Sequence, residues 1–226
     1  MVAICKREFF QLLKGVKAIL IILLFLVTAY YSAKFAEPLA VIVEISTKDA
    51  SVVGLMFLIL CFGQLFVTSL SHDSINREIH ERTMRFLVTK TSRPSILYGK
   101  FFGIWLFWFV SLFISFLIIS IITKQINILI FTQTMSLLTL QVAFVLCLSV
   151  LISKPSVTMF LGIIGSIIFP ILGGWLVLTT NPAISWLKYV TPYYYFDKSE
   201  YTFVVVLVLA GLLVYLANLV FKRREC

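Results

Sequence analysis

The residues best suited to chemistry lie together in one charged segment, residues 71–100. It contains six basic and three acidic residues: Arg77, Arg82, Arg85, Lys90, Arg93, Lys100, Asp73, Glu78 and Glu81. His72 and His80 also lie there, but not in the H-E-x-x-H pattern of zinc proteases. The sequence has no G-x-x-x-x-G-K-[ST] loop for nucleotide phosphates. The four cysteines form no C-x-x-C pair. We expect no metal site, disulfide or cofactor in this chain.

The sequence on both sides of the charged segment is apolar enough to lie in lipid. The chain has 226 residues, of which 61% are hydrophobic and 13% charged. A soluble domain is closer to half apolar and a quarter charged. We therefore predict one all-α membrane domain, residues 1–226, with a loop at 34–49. Its six spans are predicted at about residues 18–33, 50–70, 101–123, 126–152, 156–178 and 201–221.

The distribution of basic residues predicts the orientation. With the N-terminus inside, the inner segments hold four Lys or Arg before span 1, six in the charged segment, Lys154, and three at the end. The other five of the 19 lie outside. This bias favours a multi-pass protein with both termini and the charged segment in the cytoplasm. The net charge of +9 then reflects topology, so we expect no nucleic-acid partner.

Residues 2–17 show the pattern of an amphipathic helix. Apolar side chains recur at spacings of three and four, and lysines and an arginine occupy the other face. Such a helix lies in the membrane interface with its basic face toward anionic headgroups. The alternative is a simple extension of span 1.

The six spans as drawn contain no Asp, Glu, Lys, Arg or His. Ion-coupled transporters generally need ionisable groups at membrane depth, so the pattern argues against a self-powered transporter. Mild polar residues such as Gln64 and Gln141 are explained by hydrogen bonds between helices. Four glycines and Pro170 in span 5 favour either close packing or a flexible helix that lines a pathway.

The charged segment predicts a helix, a turn and a second helix. Asp73 and Ser74 are candidate N-caps for a helix through about Leu87. Within it, Glu78 can pair with Arg82 and Glu81 with Arg85, because each pair is one turn apart. Pro94 favours the first turn of a new helix that continues into span 3.

This segment resembles the loop of type-2 ABC transporter permeases, the six-span subunits of bacterial ABC exporters. The family pattern is a Glu, three residues, Gly-Thr, a hydrophobic stretch, Pro-x-Ser-Arg, and a Gly-Lys that opens span 3. Six residues match it: Glu78, Thr83, Ser92, Arg93, Gly99 and Lys100. Arg82 stands where the pattern has Gly, and Lys90 where it has Pro.

A second stretch, residues 186–196, is similar to the aromatic, proline-containing stretch that often precedes the last span in this family. The resemblance implies short re-entrant helices at the outer leaflet that partly close an exit. The residues expected to form this exit gate are Trp186, Tyr189, Pro192, Tyr193 and Tyr194.

The resemblance implies a non-enzymatic transport subunit in a bacterial plasma membrane. Two permeases, either two copies or this chain with a relative, would form the pathway, and two separate ATPase subunits would supply ATP and Mg²⁺ chemistry. A cytoplasmic coupling helix would dock in the ATPase. The coupling residues expected by this resemblance are Glu78, Glu81, Arg82, Thr83, Arg85, Ser92 and Arg93.

Two other functional classes remain open on the sequence. One is a non-transporting membrane scaffold or immunity factor, and the other is a small membrane-embedded enzyme of lipid or cell-wall chemistry. A pathway without fixed charge hints at an apolar or amphipathic cargo, such as a lipid, peptide or antibiotic.

Overall fold

The computed structural model describes residues 1–179, 184–198 and 201–223. A 3₁₀ helix spans Ser185–Val190, and no strand occurs among these residues. The α-helices are α1 Val2–Leu13, α2 Val16–Lys34, α3 Ala36–Val43, α4 Thr47–Ser71, α5 Asn76–His80, α6 Met84–Lys90, α7 Arg93–Thr123, α8 Ile128–Leu151, α9 Pro155–Leu178, α10 Pro192–Lys198 and α11 Phe203–Arg223.

Six helices in the described part of the chain are long and apolar enough to cross a membrane, namely α2, α4, α7, α8, α9 and α11. This confirms the prediction of an all-helical multi-pass protein. The third is longer than predicted, because it begins at Arg93 rather than near residue 101. Ser92 has an extended backbone before it, and Pro94 occupies the first turn. Proline is tolerated there because the first N–H groups of a helix have no intrahelical partner.

Helix α8 forms the centre of the bundle. It contacts α4, α7, α9 and α11, and 72% of the residues in its most apolar stretch are buried. The corresponding fractions for α9 and α11 are only 22% and 28%. These two helices therefore present large apolar faces outward, as lipid or a second membrane subunit requires.

Helix α1 is separate from the first span and packs against α7. The chain turns at Gly15, whose extended backbone divides α1 from α2, so the alternative of one continuous helix is wrong. A Cβ atom on Gly103 would lie 2.7 Å from the Cβ of Glu8 and 2.8 Å from the carbonyl of Cys5. The missing side chain lets the two helices approach closely.

The prediction of a loop over residues 34–49 is wrong, because it contains helix α3. Glu37 lies in the first turn of α3, where a carboxylate complements the helix dipole. Glu44 ends the helix in the left-handed conformation, with φ 56°.

Two glycines of α9 serve close packing. A Cβ on Gly162 would lie 2.3 Å from Thr68 in α4, and one on Gly173 would lie 2.2 Å from the ring of Tyr193 in α10. Gly174 has open space at the corresponding position. Despite Pro170, α9 continues as one helix to Leu178.

Candidate functional site

The charged segment folds as two short helices rather than one. The predicted helix through Leu87 is wrong, because α5 ends at His80 and α6 begins at Met84. The break is centred on Arg82, whose φ of 59° is left-handed. The Thr83 hydroxyl donates a hydrogen bond to the carbonyl of Glu78, at 3.2 Å, and closes the turn. The position at which the resembled pattern has Gly thus adopts a conformation that glycine accommodates most easily.

The predicted N-caps do not cap α5. Asp73 instead forms an ion pair with Arg77 at 3.1 Å. The hydroxyl of Ser149, in α8, accepts hydrogen bonds from the backbone N–H groups of Ile75 and Asn76, at 3.0 and 3.2 Å. A side chain from the central helix therefore satisfies two of the free N–H groups at the start of α5.

The same end of α5 is tied to α9. The side-chain amide of Asn76 donates a 2.7 Å hydrogen bond to the hydroxyl of Thr158. Asn76 and Ile75 are fully buried. Because buried polar contacts are costly to break, α5 is held firmly between the end of α8 and the start of α9.

A buried charge cluster connects the segment to α1 and α7. The Nζ atom of Lys100 lies 3.0 Å from Oε1 of Glu78 and 3.5 Å from Oε2 of Glu8, and it also donates to the carbonyl of Ser74. The Lys100 side chain is 2% exposed and each carboxylate side chain is 13% exposed. We call Glu8, Glu78 and Lys100 the charge cluster.

With both carboxyl groups ionised, the charge cluster has one excess negative charge. Burial raises the pKa of the Glu8 carboxyl above its ordinary value, Lys100 opposes that rise, and the charge of Glu78 adds to it. Desolvation disfavours the ionised form, which explains the direction of the shift. The lysine is thus the essential counter-charge for two buried carboxyl groups.

The predicted pairs of Glu78 with Arg82 and of Glu81 with Arg85 are wrong. The ion pairs within the described ranges join Arg77 to Asp73 and Lys100 to the two glutamates of the charge cluster. The break at Arg82 removes the helical register that an i, i+4 pair needs. Glu78 consequently turns inward.

Beyond α5, the charged segment is held in place by one buried side chain and presents a set of exposed side chains, which we call the exposed face. Met84 is 1% exposed and holds the start of α6 in the core, whereas Phe86, two residues later, is 75% exposed. An exposed phenylalanine among charged side chains is typical of a protein contact, where aromatic and arginine residues are enriched. The residues of this exposed face are His80, Glu81, Arg82, Thr83, Arg85 and Phe86.

The two remaining predicted coupling residues lie at the start of α7, apart from the exposed face. Arg93 donates hydrogen bonds to the carbonyls of Phe221 and Lys222, at 3.3 and 3.0 Å. It therefore satisfies carbonyls at the end of α11. Ser92 is exposed, and its hydroxyl donates to that of Ser95 at 2.9 Å.

The aromatic stretch before the last span forms the 3₁₀ helix and α10. The Tyr193 hydroxyl donates to the carbonyl of Leu60 at 3.1 Å, and Tyr194 is buried. Trp186 and Tyr189 are exposed, at 61% and 52%. Of the five expected exit-gate residues, Tyr193 and its neighbour Pro192 line a partly open cavity together with residues of α4, α8, α9 and α11.

Sequence reasoning missed Glu8, Ser149 and Thr158. Glu8 had a visible signal: it follows Ile4 and precedes Leu12 by four residues, so an acidic side chain stands on the apolar face of α1. Ser149 and Thr158 had none, because hydroxyl groups near helix ends are common and their partners lie over 70 residues away.

Together these contacts connect the exposed face, which contains charged and aromatic side chains, to helices α1, α7, α8 and α9. Such an arrangement can transmit force between an outside partner and the membrane helices. No protein-family model matches this chain, and no curated protein matches it.

Proposed function

We propose that this chain is the membrane-spanning permease subunit of an ATP-binding-cassette exporter. The observation that carries the proposal is the exposed face, whose Phe86 is 75% exposed although its neighbour Met84 is buried. A surface loop that served only to orient the protein would need basic residues but no outward phenylalanine. The resemblance of residues 78–100 to the permease loop supports the same interpretation.

In this proposal the energy for transport comes from a partner protein outside the chain. Lys100 is buried near the start of α7 and pairs with Glu8 and Glu78. Its role is therefore structural, and it does not provide a site for a coupling ion. Two ATPase subunits, with ATP and Mg²⁺, would drive the cycle, while two permeases form the pathway in a bacterial plasma membrane. The outward apolar faces of α9 and α11 suit lipid or the second permease. Both termini and the exposed face would lie in the cytoplasm, where most of the basic residues are.

The contacts of the charged segment suggest the route by which force passes. Closure of the ATPase dimer would press on Arg82, Arg85 and Phe86. The hydrogen bonds of α5 to Ser149 and Thr158 would carry the displacement to α8 and α9. Packed helices with two discrete arrangements turn such a displacement into opening or closing.

Copurification from the native membrane tests the proposal. The wild type should bring down a protein that hydrolyses ATP. A triple variant, Arg82→Ala with Arg85→Ala and Phe86→Ala, should lose most of that protein while keeping its own thermal stability, because the three side chains are exposed.

The matched control replaces Phe35, Lys48 and Lys124 by Ala at the other end of the bundle, where all three are exposed. It should copurify as the wild type does. Equal recovery of the ATPase with both triple variants would refute the docking assignment. If the wild type brings down no ATPase at all, the scaffold or immunity function becomes the better description.

A further inference from the structure

A partly open cavity of about 290 Å³, whose lining includes the exposed side chains of Phe169 and Leu212, plays no part in the proposed docking. Five helices line it: α4, α8, α9, α10 and α11. Its volume is just below the range for small-molecule pockets, which begins at about 300 Å³. The walls are mostly leucine and phenylalanine, with Phe144 and Phe169 in edge-to-face contact at 5.0 Å between ring centres.

Two glutamines interrupt this apolar lining. Gln64 of α4 and Gln141 of α8 both line the cavity and are only 5% and 6% exposed. Nε2 of Gln64 and Oε1 of Gln141 are buried and have no hydrogen-bond partner among the described residues. A buried polar atom without a partner costs about 1–3 kcal/mol, and the membrane interior offers no water to relieve it. The simple role expected from the sequence, a bond between helices, is therefore not made by these two atoms.

The chemistry of the two amides indicates what would satisfy them. One unpartnered atom is a donor and the other an acceptor, and both residues line the cavity. Charged groups would be poorly accommodated, because the described residues that line the cavity include no ionised side chain. An ester offers acceptors alone and would leave the glutamine acceptor unsatisfied.

We propose that this cavity binds a neutral, largely apolar molecule through a carboxamide that accepts from Gln64 and donates to Gln141. The site goes beyond the proposed ATPase docking, since it lies within one copy of the chain. The ring of Tyr193 helps to enclose it, because Tyr193 packs against Gly173 and its hydroxyl is held by the carbonyl of Leu60.

Equilibrium binding to the purified full-length chain in phosphatidylcholine nanodiscs tests the site. The probe is tritium-labelled N-methyldecanamide, with unlabelled methyl decanoate as the ester of matched chain length. The amide should bind about 3- to 10-fold more tightly than the ester, as the gain of one net hydrogen bond implies. Equal affinity for the two in the wild-type protein would overturn the proposal without any variant.

The variants Gln64→Leu and Gln141→Leu should each abolish the preference for the amide while leaving ester binding within about 2-fold. Gln133→Leu is the matched control, because Gln133 is an equally buried glutamine of α8 outside the cavity lining. It should keep the preference. Retention of the preference in both cavity variants would show that the amide binds elsewhere and would refute the assignment. Since the assay contains no ATPase, its result is independent of whether the transport function is correct.

Discussion

Replacing Lys100 by Met should be among the most damaging single changes outside the membrane core. The substitution leaves Glu8 and Glu78, each 13% exposed, without the ammonium group that lies 3.5 and 3.0 Å from their carboxyl oxygens. It also leaves the carbonyl of Ser74 without the hydrogen bond from Nζ. Removing one partner of a buried ion pair costs about 3–5 kcal/mol, because the remaining charge stays desolvated.

Thermal unfolding of the purified protein, followed by the fluorescence of its four tryptophans, measures the effect. A loss of about 3–5 kcal/mol corresponds to a decrease in Tm of about 6–20 °C for a chain of this size. Lys90→Met is the control, since Lys90 is an exposed lysine of the same segment. It should change Tm by less than about 2 °C.

The triple variant Glu8→Gln, Glu78→Gln, Lys100→Met separates charge from packing. Replacing all members of a buried ion cluster by neutral groups is often close to neutral, so most of the lost stability should return. Two results would refute the reasoning: Lys100→Met with the Tm of the wild type, or a triple variant as unstable as Lys100→Met alone.

Three further predictions concern neighbouring contacts and use the same unfolding assay. Arg82→Gly should raise stability by about 1 kcal/mol because φ is 59° there, whereas Arg85→Gly in helix α6 should lower it by about 1 kcal/mol; the reverse order would contradict the left-handed turn. Gly103→Ala should destabilise the protein by about 1–3 kcal/mol, because the new Cβ would meet the main chain of α1. Gly211→Ala should be neutral or stabilising, because a Cβ there meets open space. Equal effects of the two substitutions would argue against the close approach of α1 and α7. Because burial raises the pKa of Glu8, its carboxyl group binds a proton more readily in the native state than in the unfolded state. The stability of the wild type relative to Glu8→Gln should therefore fall as pH rises from about 4.5 through that raised pKa. A rise or no change in relative stability over this pH range would contradict the burial of Glu8.

The number of long helices in the membrane domain and the start of α7 follow from local sequence patterns. Six apolar runs predict six long helices because spanning segments must satisfy their own backbone hydrogen bonds. Pro94 predicts the start of α7 for a similarly local reason, because its missing N–H is needed by no intrahelical bond there.

The charged segment could not be predicted in detail, because tertiary contacts override its local pattern. The spacing of Glu78 and Arg82 favours a pair, but Lys100 offers a desolvated site for the same carboxylate. The break at Arg82 depends on a left-handed conformation that arginine does not favour by itself. Ser149 replaces the expected local caps from a helix about 75 residues away, and no spacing rule reports such a partner.

The central claim, that the exposed face binds an ATPase, is tested most directly by site-specific photocrosslinking in intact cells. A benzophenone amino acid replaces Phe86, which is 75% exposed on that face, or Phe35, which is 49% exposed at the other end of the bundle. The account predicts a light-dependent adduct from position 86, but not from position 35, with a protein whose peptides contain a nucleotide-binding G-x-x-x-x-G-K-[ST] loop. No ATPase adduct from position 86 in a complex that still hydrolyses ATP, or equal adducts from both positions, would contradict it.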